Sequence, residues 1–168
     1  MTAKTLARMA LLSSVMLVLS YLERMIPAAS AIPGIRLGLA NTVLLYAIYL
    51  MRPKHAWGLM LIKVLIAGLV YLNGLAMAFS LGGGLLSLLT MYLAKRAKGL
   101  SIVGVSIVGA VFHIAGQLAA AALVVNIRLE ALLATLPLYM ALSAATGLIT
   151  GIAAKYVNAA LTKSGWTK

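Results

Sequence analysis

The sequence contains no cysteine and no aspartate, and its acidic side chains are two glutamates, Glu23 and Glu130. Without cysteine there is no disulfide, no thiolate nucleophile and no iron–sulfur ligation. Without aspartate, the carboxylate cluster that normally holds magnesium on a prenyl diphosphate is missing, so catalysis of that kind has no support. A G-x-x-x-x-G-K-[ST] phosphate loop is also absent, which excludes ATP hydrolysis by that route. The two histidines, His55 and His113, stand too far apart in the chain to make a recognisable metal motif. Charge is scarce throughout: 10% of residues are charged, against roughly 25% in a soluble domain.

What is present is apolar. Of the 168 residues, 64% are hydrophobic, and the mean hydropathy is +1.08. That much apolar surface needs lipid as its solvent, and the chain reads as one integral membrane domain over 1–168. The formal charge of +12 would suggest nucleic acid on a water-exposed fold, but here the bases punctuate apolar runs. Such spacing is a signature of membrane orientation, and no nucleic-acid partner is expected.

The apolar runs predict six transmembrane helices at about 6–26, 36–51, 56–72, 75–94, 102–125 and 132–156. The first is read as a retained helix, although its basic start and the small run after Pro27 imitate a signal peptide. Pro53 closes the second, and Asn73-Gly74 marks a tight turn after the third. With the N-terminus in the cytoplasm, ten cations lie inside and Arg24, Arg36 and Arg128 outside, leaving Lys63 within the membrane. This asymmetry places both termini in the cytoplasm. Both glutamates fall at the outer ends, so no intramembrane carboxylate is expected beside Lys63.

The stretch Ile32 to Leu50 organises the rest, with Pro33 and Gly34 as a turn, Arg36 at the outer mouth, and Asn41 about two turns into the second helix. Lys63 carries the strongest signal, because a mid-span ammonium costs about 2.5–3.5 kcal/mol unless it snorkels or faces a partner or cavity. His113 and Gln117, four apart, share a helix face, with Gly109 and Gly116 leaving room beside them. Together with Ser80 and the triple glycine Gly82, Gly83 and Gly84, these residues outline a candidate substrate site: Asn41, Lys63, His113 and Gln117, with Arg36 attracting an anion. Polar glue between helices is the structural alternative for His113 and Gln117. A stripe of Ser143, Gly147, Thr150, Gly151 and Ala154 reads as helix packing. Ala3 and Ala7 form a small-xxx-small pair near the start of the first helix, a candidate partner interface.

The segments PGIRLGLAN (33–41), SLGGGLLSLL (80–89) and SIVGVSIVGAVFHIAGQL (101–118) together resemble the Gx transporter family, also labelled heptaprenyl diphosphate synthase component I. That family is similar to the substrate-binding S components of energy-coupling factor (ECF) transporters. The resemblance implies an all-α, six-helix subunit of a prokaryotic cytoplasmic membrane that captures a small, anionic, vitamin-like or isoprenoid- or quinone-related solute without catalysis or cofactor of its own. It also implies partners: a transmembrane coupling subunit, met through Ala3 and Ala7, and two ATPases. Where relatives carry arginine in the third helix, this chain has Lys63, a point charge in place of a bidentate fork. Two further readings accompany it, a non-catalytic accessory to polyprenyl diphosphate synthesis and a membrane subunit of flavin or quinone electron transfer. For the latter, Ser143-Ala144-Ala145-Thr146 faintly echoes a covalent flavin-attachment motif.

Overall fold

The shortest helix is the centre of the molecule. In the computed structural model, which describes residues 2–25, 38–71, 74–97, 99–126 and 129–163, six helices follow in order. They are α1 (Ala3–Arg24), α2 (Asn41–Leu50), α3 (Pro53–Tyr71), α4 (Gly74–Arg96), α5 (Ile102–Val125) and α6 (Leu129–Lys163). No strand occurs among the described residues. Helix α2 touches all five of the others, and Val43, Leu44, Leu45, Tyr46, Ala47 and Ile48 are buried along it. A helix that is apolar on every side is stable only when neighbours surround it.

Around this hub, α3, α4, α5 and α6 form a continuous layer in which each helix packs most closely on its chain neighbour, while α1 rests on α2 and α3. Small residues set the spacing. A Cβ on Gly147 would come within 2.8 Å of the Ile107 Cα, and one on Gly151 within 2.9 Å of the Val103 Cα. Ser106 and Thr150 share a hydroxyl hydrogen bond of 3.1 Å across the same α5–α6 seam. The predicted packing stripe therefore serves that purpose, with Ser143 and Ala154 buried beside it.

The outer surface is apolar and the interior holds polar groups. Leu123 is 86% exposed and Leu69 73%, whereas Lys63, His113 and Gln117 are buried. This arrangement suits lipid outside the bundle. Four helices, α1, α4, α5 and α6, are long and apolar enough to cross a membrane.

Several boundaries differ from expectation. The second helix, predicted over 36–51, begins only at Asn41, because residues 38–40 form a turn in which Gly38 takes φ +93°. At ten residues it rises only ~15 Å, half of the ~30 Å that a hydrocarbon core requires. Pro53 starts α3, filling the first helical position where its missing N–H costs nothing. Helix α6 runs from Leu129 to Lys163, longer at both ends than 132–156, and it carries Pro137 inside. Pro33, Gly34, Arg36 and Asn73 lie outside the described residues.

A buried polar cluster as candidate functional site

At the turn into α2, the chain brings together residues from five helices. The N–H of Asn41 donates to the Gly38 carbonyl at 2.8 Å, and Thr42 donates to Leu39 at 3.1 Å, so a tight turn leads directly into the helix. Asn41 is thus the first residue of α2, not one two turns inside it. Its side chain points into the bundle, where Oδ1 accepts a 2.7 Å hydrogen bond from the Lys63 Nζ of α3. Lys63 is 8% exposed and Asn41 5%, so this charge does not snorkel to water. Among the described residues, the Asn41 Nδ2 has no hydrogen-bond partner.

Glu23, expected at the outer end beside Arg24, is instead turned inward and 2% exposed. Its Oε1 accepts from the Gly38 N–H. The expectation that both glutamates stay at the outer ends is therefore corrected for Glu23: it is buried, and Glu23 and Lys63 bind the two ends of one short segment, Gly38 to Asn41. Each of these two buried charges has a hydrogen-bonding partner, as a buried ion requires. Sequence reasoning missed Glu23 because it stands one residue before Arg24, in a position that reads as a solvated helix end. Its spacing offered a faint signal, since Met16, Ser20 and Glu23 share the buried face of α1.

His113 and Gln117 of α5 are 2% and 1% exposed. They converge on Gly83 of α4, where an added Cβ would lie 2.6 Å from the His113 Nδ1 and 2.8 Å from the Gln117 Cγ. His113 also borders the α2 turn, because a Cβ on Gly38 would stand 2.8 Å from both the His113 Cδ2 and the Asn41 Nδ2. A continuous polar interior thus runs from Glu23 through Gly38, Asn41 and Lys63 to His113 and Gln117. Ser80, one turn before Gly83 and Gly84 on α4, is 7% exposed, and its hydroxyl has no hydrogen-bond partner among the described residues.

The triple glycine stays helical within α4. Protein fills the space beside each member: the Gly116 carbonyl and Ala120 at Gly82, His113 and Gln117 at Gly83, and Met60 at Gly84. The room expected beside Gly116 is taken by the Gly82–Gly83 backbone, and that beside Gly109 by Met91. These glycines therefore bring α4 and α5 together and seat His113 between them. Arg36 lies outside the described residues. Ala3 and Ala7 are exposed at the opposite end of α1, well removed in sequence from Glu23. The Thr146 hydroxyl is directed to its own helix, donating to the Ser143 carbonyl at 2.9 Å. Among the described residues, no three potential metal-ligating side chains come together.

Comparison with known protein families gives a match over most of the chain. The model of a family described as heptaprenyl diphosphate synthase component I covers residues 12–157. The chain belongs to that family. As a component I protein it bears the name of one part of a larger synthase, and its apolar helices are those of a membrane protein. The matched region contains α2 to α5 and Glu23, hence the whole polar cluster. No curated protein and no solved structure matches the chain.

Proposed function

We propose that this component I protein is a membrane-embedded solute-binding subunit of the ECF S-component type, with its site at the Asn41–Lys63 pair. The observation that carries the reading is a buried ammonium held 2.7 Å from an amide oxygen while the same amide's Nδ2 donor has no partner among the described residues. A structural pair would use both ends of the amide, because a buried unmatched donor costs about 1–3 kcal/mol. Here the unmatched donor, together with the Ser80 hydroxyl, suits a ligand rich in acceptor oxygens. Glu23 already supplies one negative charge to the cluster, so the solute is small and polar with no more than a single carboxylate or phosphate. Gln117 and His113 would orient its polar groups, and Arg36 would attract it at the outer mouth.

In this reading the chain spans a prokaryotic cytoplasmic membrane six times, with both termini inside, and α3 completes its crossing despite Lys63. It performs no catalysis and needs no cofactor. A coupling subunit docks on α1, where Ala3 and Ala7 are exposed and small enough for close helix approach, and two ATPases supply the energy. The family description favours a second reading, a non-catalytic accessory of prenyl diphosphate synthesis.

Native mass spectrometry of protein purified gently from its own membranes, followed by denaturation, separates these readings. A small polar molecule released from the parent and absent from a folded Lys63→Met variant supports the solute site. Equal retention by both proteins removes Lys63 from it. Co-purification with a prenyl diphosphate synthase, without a small solute, favours the accessory reading.

A further inference from the structure

Two kinds of seam hold the helices together. Where α4 meets α5 and α5 meets α6, glycines bring backbone against backbone: a Cβ on Gly116 would stand 2.9 Å from the Gly83 Cα, and one on Gly147 2.8 Å from the Ile107 Cα. Backbone has no rotamer to change, so these three helices form one fixed unit. Met91 of α4 also reaches Gly109 of α5, but the contacts at Gly82 and Gly116 set the spacing of that seam.

The seams of α3 are built differently. Among the described residues, α3 touches α1, α2 and α4 and neither α5 nor α6. Both of its glycines receive a methionine from a neighbouring helix: the Met9 Cε of α1 lies 3.2 Å from the Cβ position of Gly58, and the Met77 Sδ of α4 lies 2.7 Å from that of Gly68. In return, Met60 of α3 reaches Gly84 of α4, its Cγ 3.1 Å from the Cβ position there. A methionine has three rotatable bonds and a polarisable thioether, so it keeps contact while the surface opposite it moves. The glycine it meets presents no side chain to obstruct that movement. The three pairs are spread along ~15 Å of α3. Lys63 stands between them, and its Nζ ties the helix to Asn41 of α2 at 2.7 Å.

We infer that α3 is the sliding element of the bundle: it shifts along its axis on its methionine–glycine contacts, against the fixed unit of α4, α5 and α6, and carries Lys63 past Asn41. Sliding of packed helices is a common form of conformational change. His113 and Gln117 stay with α5, so the shift alters the separation between the buried ammonium and the rest of the polar cluster. On the solute-binding reading, one position of α3 holds the solute and the other releases it.

The chain has no cysteine, so spin labels attach at introduced cysteines alone. Leu65→Cys on α3, Leu89→Cys on α4 and Ile149→Cys on α6 lie at exposed positions. Pulsed dipolar spectroscopy of the full chain in lipid nanodiscs, with no solute added, reads the Leu65–Ile149 and Leu89–Ile149 distances in separate double variants. The first distribution should be broader than the second by roughly 2–5 Å, between a small helix shift and a one-turn step. Met9→Leu, Met60→Leu and Met77→Leu combined are swaps of near-equal volume that cores tolerate, and each removes a rotatable bond. They should narrow the first distribution and leave the second unchanged. Equal widths in the parent would overturn the inference while leaving the solute site standing, because the labels follow α3 without solute. A Leu89–Ile149 distribution as broad as the first would overturn it too, since α4 to α6 would then not be fixed, and so would a triple methionine variant as broad as the parent.

Discussion

Replacing Gly116 by alanine probes the contact that fixes the polar cluster. A Cβ on Gly116 would stand 2.8 Å from the Gly82 carbonyl carbon and 2.9 Å from the Gly83 Cα, with the Gly82 oxygen nearer still. Carbon atoms prefer separations of about 3.5–4.0 Å. The atoms in the way belong to helix backbone, which has no rotamer to change, so α4 and α5 must move apart. Overpacking of this kind costs about 1–3 kcal/mol, while alanine returns roughly 0.5–1 kcal/mol of helix propensity. Since α4 and α5 share the most extensive contact in the fold, the cost should dominate. Its expected signature is an apparent melting temperature in detergent lowered by roughly 2–8 °C. Gly74→Ala is the control, because nothing lies within 4 Å of its Cβ position. Gly83→Ala should separate stability from function. Its Cβ meets side-chain atoms of His113 and Gln117, which can rotate away, so the protein should fold but lose its solute. A Gly116→Ala variant melting at or above the parent temperature would refute the packing argument.

Glu23→Ala should destabilise the protein by about 1–3 kcal/mol, the cost of leaving the buried Gly38 N–H without an acceptor. Glu23→Gln, which retains an acceptor, should cost clearly less, and equal losses in thermal unfolding would show that Glu23 does not act through Gly38. At the opposite end, burial, together with the Lys54 and Arg52 charges, holds the pKa of His55 below its ordinary value of 6.5, with Arg8 of α1 lining one cleft with it. The unfolded chain therefore binds this proton more readily than the folded one, and stability should fall as pH drops through 6.5 towards the lower folded value. A pH series of thermal unfolding curves checks the sign, and His55→Gln should flatten the dependence in that window.

The all-helical fold, most of the helix positions and the α5–α6 seam were legible because apolar run length and small-residue spacing are local properties. Lys63, Asn41, His113 and Gln117 were legible for a related reason: a polar side chain in an apolar run is costly and so conspicuous. The α2 start was not. The pattern from Ile35 to Leu50 is apolar enough for a full span, yet Gly38 adopts a left-handed turn that shortens the helix and directs Asn41 to Lys63. Glu23 was also hidden, because a charge at the end of an apolar run looks the same whether it turns to water or inward.

By itself the sequence determined the solvent, the helical class and which polar residues demand an explanation. These follow from transfer free energies and periodicity, which each residue carries with it. The tertiary structure decided which of those residues meet: Glu23 and Lys63 on one four-residue segment, His113 seated against Gly83, and four basic side chains around one cleft. Such meetings depend on helix rotation and on the short α2 being enclosed on all sides. Neither is written in the local pattern of any single segment.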